Sequence, residues 1–212
     1  DMFGENWRGI HALNLLSGSR GWTLERLNAA AYDSHQPGFA VLIPMLVKAF
    51  DDLPRANLRR ERLGAPVAVL RRWNHHWSGE SVGQTLAIFW AEELLKRLEG
   101  PADEPINIKT MRIGRDTTAG QKLDALTDAV ARLRRDFGRW QVPWGEINRF
   151  QRISGAIDQP FSDAAPSIAM PFATGRWGSL ASYHSSPKPG TAKWYQGTGN
   201  TFVAVVEFGP RV

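Results

Sequence analysis

Apolar positions recur at helical spacing through the first two thirds of the chain and give way to period-two and aromatic runs in the last third. From Asn6 to Leu16 the apolar set is Trp7, Ile10, Leu13 and Leu16, and Ser17-Gly18 supplies a stop. Thr23 reads as the N-cap of a second helix with Leu24, Leu27 and Ala31 on its inner face. Pro37-Gly38 breaks the pattern before Phe39 to Phe50, where Leu42, Met45, Leu46 and Phe50 share a face despite Pro44; this predicts a buried helix. Residues 51–83 are charged and interrupted by Pro54, Gly64, Pro66 and Gly79, leaving one short helical stretch at Val67 to Trp73.

Two longer helices follow. Gln84 to Leu98 carries Leu86, Phe89, Trp90, Leu94 and Leu98 on its apolar positions and ends at Gly100-Pro101. Thr118 to Phe137 points Leu123, Leu126, Val130, Leu133 and Phe137 inward, with Arg132, Arg134 and Arg135 mostly outward, and Gly138 terminates it. Beyond Gly138 the composition shifts to Gly, Pro, Ser and aromatic residues. Strands are predicted there at Ile147 to Ile153, Ser167 to Met170, Ser179 to Tyr183 and Thr201 to Phe208, the last an apolar β-branched run suited to a buried strand. Helices first and strands last predict an α+β fold, a helical N-terminal portion followed by antiparallel strands. The division is 1–138 mainly helical and 139–212 mainly strands and loops, within a single segment of 212 residues. With 42% apolar residues, that length can bury one sizeable core.

Charge and composition exclude more than they select. The net charge of +5 is spread over short clusters, Arg55 to Arg62, Arg71-Arg72 and Arg132 to Arg139, rather than one basic stripe of the kind nucleic-acid binding uses. Without cysteine there are no disulfides, thiolate metal sites or cysteine nucleophiles. No apolar run approaches the roughly 18 to 20 residues of a membrane span, and the N-terminus lacks the charged and apolar regions of a signal peptide. The chain starts at Asp1 without an initiator Met and stops at Val212 shortly after a strand-like run, which reads as an excised segment.

Among chemistry-bearing residues, His11, His35, His75, His76 and His184 show no i, i+4 pair for a helical metal site, and adjacent His75-His76 point apart on any regular element. Ser182, His184 and Asp158 or Asp163 could be drawn as a triad, but no Gly-x-Ser-x-Gly elbow frames a serine. Gly114 to Gly120 lacks the Gly-Lys-Ser/Thr of a phosphate loop. Nine tryptophans, several beside Arg or Asn, would suit a glycan or nucleic-acid platform if exposed, although Trp7, Trp90 and Trp144 sit on apolar patterns that fit core packing.

Two stretches carry a family resemblance: Val142-Pro143-Trp144-Gly145-Glu146-Ile147-Asn148-Arg149-Phe150 and Gly199-Asn200-Thr201-Phe202-Val203-Ala204-Val205-Val206-Glu207-Phe208. With Trp177 to Tyr183 and the run on to Val212, they resemble the C-terminal part of the catalytic chain of penicillin acylases and the related acyl-homoserine-lactone and aculeacin acylases. The resemblance implies an N-terminal-nucleophile amidase with a four-layer αββα sandwich, periplasmic or secreted. In such enzymes a serine exposed by self-cleavage attacks the amide, with its own α-amine as base. Trp7-Arg8-Gly9-Ile10 followed by Leu15-Leu16 is similar to the segment that carries an active-site arginine, which would give Arg8 a supporting electrostatic role; the alternative is an arginine that merely opens a helix.

The departures matter as much. Asp1 is not a nucleophile, and the oxyanion asparagine and calcium-binding aspartate of the family would lie before residue 1. No cofactor is expected in this segment, calcium being left to the intact protein, and the segment alone is expected to be inactive. The expected partners are the remainder of the acylase chains and a small acyl amide, without nucleic acid or membrane. The alternative from another class is a stand-alone binding module that holds glycan or nucleic acid through exposed tryptophans and basic clusters.

Overall fold

The computed structural model describes residues 4–200 and 202–209. Asp1, Thr201 and Val212, on which expectations about the nucleophile and the strand limits rest, lie outside the described residues. Helix α1 (Trp7–Ser17) starts where the Asn6 side chain accepts from Gly9 N, and α2 (Leu24–Ala31) where Thr23 accepts from Arg26 N. Helix α3 (Pro37–Asp51) keeps Pro44 on its exposed face, so the backbone hydrogen bond that proline cannot make is lost where water replaces it. Helix α4 (Leu58–Arg72) is twice the length expected from its sequence, because Gly64 and Pro66 are absorbed within it and Asn57 caps it.

Helix α5 (Val82–Leu95) is apolar nearly all round and forms the centre of the bundle, packed on α4 and α7. Its approach to α4 depends on Gly83, where a Cβ would lie 2.6 Å from Trp73 Cγ. Helix α6 (Ile106–Asp116) falls in a stretch for which no helix was expected. Helix α7 (Ala119–Phe137) opens on a capping box between Thr118 and Gln121 and ends at Gly138 in the left-handed conformation. Its Arg132, expected to point outward, instead lies over the rings of Phe89 and Trp194 and pairs with Glu93.

The last third is less regular. A single helical turn, α8 (Trp144–Ile147), runs into β1 (Asn148–Phe150); β2 (Ile168–Ala169), β3 (Tyr183–Pro187) and β4 (Trp194–Gly199) complete a sheet of order β2-β1-β4-β3. The fold is therefore α+β as expected, but the sheet is mixed, not antiparallel: β1 runs parallel to β4, with Asn148 opposite Trp194. Ser179 to Tyr183 is not a strand apart from its final residue, and β4 was not expected. The apolar run 202–208, the strongest strand candidate, joins no sheet; Phe202 is 79% and Phe208 88% exposed.

The motif from Val142 to Phe150 is the seam between bundle and sheet. Gly145 N donates to Gly79 O at 2.7 Å, tying the seam to the loop before α5. Trp144 Nε1 donates to Phe172 O, and fully buried Asn148 donates to Met170 O and Phe172 O while accepting from Ser185 Oγ. Trp194 carries β4 into the helical core, stacked on Phe89 at 5.0 Å and edge-on to Trp144.

Candidate functional site

Arg8, the one site residue expected from the sequence, stands in the first turn of α1. Asn6 fixes where that helix begins, and the Arg8 stem packs closely on the backbone of Gly175, where a Cβ would lie 3.2 Å from Arg8 Cδ. Arg8 Nη2 donates to Leu180 O at 2.7 Å, which leaves the guanidinium's other donors to serve a ligand. The residue lines a polar cleft of about 410 Å³ between the start of α1, α6, the 3-10 turn Gly175–Trp177 and the β3–β4 pair.

Four side chains give this cleft its chemistry besides Arg8. Arg176 is paired with Glu92 at 2.9 Å. Ser182 Oγ accepts from Gly175 N at 2.8 Å, so its own proton is free to be donated. The ring of His184 is held below the ordinary imidazole value by burial and then by the Arg176 cation, which leaves it neutral and able to accept. Thr198 faces His184 across the β3–β4 ladder, beside the irregularity between His184 and Ser185. The cleft thus combines a cation and a hydroxyl donor, which oppose developing negative charge, with a neutral imidazole that can accept a proton.

The triad that could be drawn from the sequence does not assemble. Ser182 and His184 line one cleft, but Asp163 is spent on Ala192 N and the hydroxyl of Tyr195, and Asp158 belongs to the 151–166 loop. Among the described residues, no group of three or more His, Asp or Glu side chains is arranged to hold a metal ion. Sequence reasoning missed Arg176 and Thr198 because residues of the cleft come from four separated segments, and no spacing rule connects them.

The fold does bring histidines together in a way the sequence did not suggest. His11, His35 and His76 form a chain of rings with centroids 5.7 and 5.4 Å apart. The tryptophans, in contrast, offer no platform: Trp7, Trp73, Trp90, Trp140, Trp144, Trp177 and Trp194 are buried, and Trp22 and Trp77 are half-buried. Arginines of the basic clusters are turned to internal use, Arg59 on Asp124, Arg71 on Asp51 and Arg139 on Glu146.

A family model described as penicillin amidase matches residues 1–212. No curated protein matches the chain.

Proposed function

Because the chain belongs to the penicillin amidase family, we propose that it forms the C-terminal part of the catalytic chain of an amidohydrolase that cleaves an acyl group from an amide. In this reading it supplies Arg8 and a large part of the core, while the nucleophilic serine, its α-amine and the oxyanion asparagine come from the remainder of the acylase. Arg8 is a permanent cation held by Leu180 at the rim of a polar cleft, and its remaining donors oppose the negative charge that builds on the substrate oxygen during attack. The segment alone then hydrolyses no amide, any calcium is bound by other parts of the enzyme, and the enzyme acts in the periplasm or outside the cell. Among the described residues, no helix is long and apolar enough to cross a membrane.

The observation that carries the reading of this chain as part of a larger core is an uncovered apolar surface. Leu13 and Leu16 of α1 and Leu24 of α2 are exposed, and α2 buries none of its residues. Between these helices and the run 202–208 opens an apolar groove of about 290 Å³ that includes Leu15, Leu27, Val203 and Val205. Monomeric proteins seldom leave so contiguous an apolar face in water, and a β-branched run with apolar residues on both faces is suited to the interior of a sheet.

The test is made in the intact, self-processed acylase. Arg8→Ala is expected to lower kcat/KM about ten- to a hundredfold, the scale of one charge-assisted hydrogen bond worth roughly 1.5–3 kcal/mol. Arg8→Lys recovers little of this, since a lysine lacks the planar fork that reaches Leu180 O and substrate together. Unchanged turnover in a correctly processed Arg8→Ala enzyme refutes the assignment.

A further inference from the structure

The pair Gly199-Asn200, which opens the second of the two resembling stretches, closes the β3–β4 ladder beside the polar cleft. Tyr183 stands opposite Gly199, so an antiparallel ladder carried one step further would set Ser182 against residue 200 and exchange two backbone hydrogen bonds between them. One of these is made: Asn200 N donates to Ser182 O at 3.1 Å. In place of the other, Ser182 N donates at 2.8 Å to the side-chain oxygen Asn200 Oδ1. The carboxamide thus stands in for a main-chain carbonyl, and one residue holds both backbone groups of Ser182. Gly199 lets the two chains come this close, since a Cβ there would lie 2.9 Å from Ser182 O.

Ser182 in turn closes the segment on which Arg8 rests. Its Oγ accepts from Gly175 N at 2.8 Å, which ties the last residue of 175–182 to the first. Within that closed segment Gly178 N donates to Gly175 O and Ser179 Oγ to Ala181 O, and the buried residues Ser179 and Ala181 flank Leu180. The Leu180 carbonyl therefore takes its place from Ser182. It accepts from Arg8 Nη2 at 2.7 Å, and among the described residues the Arg8 side chain makes no other hydrogen bond. One continuous path of hydrogen bonds and short backbone links thus leads from Asn200 through Ser182 and Leu180 to the guanidinium.

We propose that Asn200 is a positioning residue for Arg8, whose carboxamide fixes Ser182 and through it the Leu180 carbonyl on which the guanidinium is seated. The proposal rests on the role assigned to Arg8 above. Asn200 is exposed and is not among the residues that line the cleft, so it acts on the reaction through Ser182 and Leu180, and cutting it back leaves the core intact. Without the accepting oxygen, Ser182 N is left to water and Ser182 keeps only the bond from residue 200 N. The Leu180 carbonyl then wanders, and Arg8 loses its aim on the negative charge that develops during attack. Ground-state substrate carries no such charge, so its binding does not depend on that aim.

Steady-state kinetics of the intact, self-processed acylase test this. Asn200→Ala is expected to lower kcat about three- to tenfold, the scale of one neutral hydrogen bond, with KM little changed. Asn200→Asp keeps the accepting oxygen and is expected to recover most of the loss. In an Arg8→Ala background Asn200→Ala should cost nothing further, because no guanidinium is left to seat. Unchanged kcat in Asn200→Ala, an Asn200→Asp enzyme as slow as Asn200→Ala, or losses from Arg8→Ala and Asn200→Ala that simply multiply would each overturn the proposal. Should Asn200→Ala fail to mature, amide exchange of the wild-type enzyme decides: Ser182 N–H is expected to exchange at least roughly tenfold more slowly than its intrinsic rate, and exchange at the intrinsic rate overturns the proposal. A loss in Arg8→Ala with none in Asn200→Ala refutes this proposal alone, whereas a fully active Arg8→Ala enzyme refutes the role of Arg8 itself.

Discussion

Asn148 is the residue whose loss should most cleanly separate the seam between helices and sheet from the rest of the core. Its amide donates to Met170 O at 2.8 Å and Phe172 O at 3.0 Å, and its carbonyl accepts from Ser185 Oγ. Phe172 O keeps a second donor in Trp144 Nε1, so Asn148→Ala strands two groups, Met170 O and the Ser185 hydroxyl. Each buried polar group left without a partner costs roughly 1–3 kcal/mol, which places the variant about 2–6 kcal/mol below the wild type. Urea unfolding followed by tryptophan fluorescence measures this, because Trp144 and Trp194 flank the site, and the midpoint should fall at unchanged slope. Ser185→Ala removes one of the two stranded groups, so Asn148→Ala/Ser185→Ala should be about 1 kcal/mol more stable than Asn148→Ala. A loss below about 0.5 kcal/mol in the single variant, or strict additivity in the double one, would show that water or relaxation satisfies these groups and that the seam is not held as described.

Gly83→Ala should cost about 1–3 kcal/mol in the same assay, since its Cβ would meet Trp73 Cγ at 2.6 Å and the α4–α5 contact would have to open; a neutral result would mean that Trp73 moves freely. The exposed apolar face at 202–208 predicts that the segment associates with itself in sedimentation, and Phe208→Lys, which leaves the buried core untouched, should weaken that association at unchanged thermal stability; association as strong as that of the wild type would mean that this face does not drive it.

The sequence revealed the helices with continuous apolar faces and clear caps. Thr23 and Gly138 sit where their chemistry placed them, and α5 and α7 carry their apolar residues inward as expected. Helix α4 was truncated in that reading because Gly64 and Pro66 signal a break, yet buried packing of Leu63, Val67 and Leu70 outweighs the local preference. Strand β4 was missed because Gly197 and Gly199 weaken its propensity, and it is held instead by pairing on both sides and by Trp194 in the core. The run 202–208 has the strongest strand propensity in the chain and no ladder, since pairing needs a neighbour and none of the described residues supplies one. Of the cleft, Arg8 was legible as a site residue, and Ser182 and His184 only as members of a triad that does not assemble. Arg176, Ser182, His184 and Thr198 meet it through tertiary closure, which leaves no periodicity along the chain.

The parallel pairing of β1 with β4 has a consequence for the order of events when the chain is made. The contacts of α3 with α4 and of α4 with α5 join neighbours in sequence, whereas Asn148 can meet Trp194 only after β2, the 3-10 turn and β3 have been laid down between them. Loop closure of that span has to precede any reward from the ladder, so the helical bundle should collapse early and the sheet should close last. Until then Trp194 is absent from its place against Phe89 and Trp144, and the newly synthesised bundle has an open aromatic slot. That interval, rather than the finished fold, is when the chain is most exposed to proteases and most in need of a chaperone.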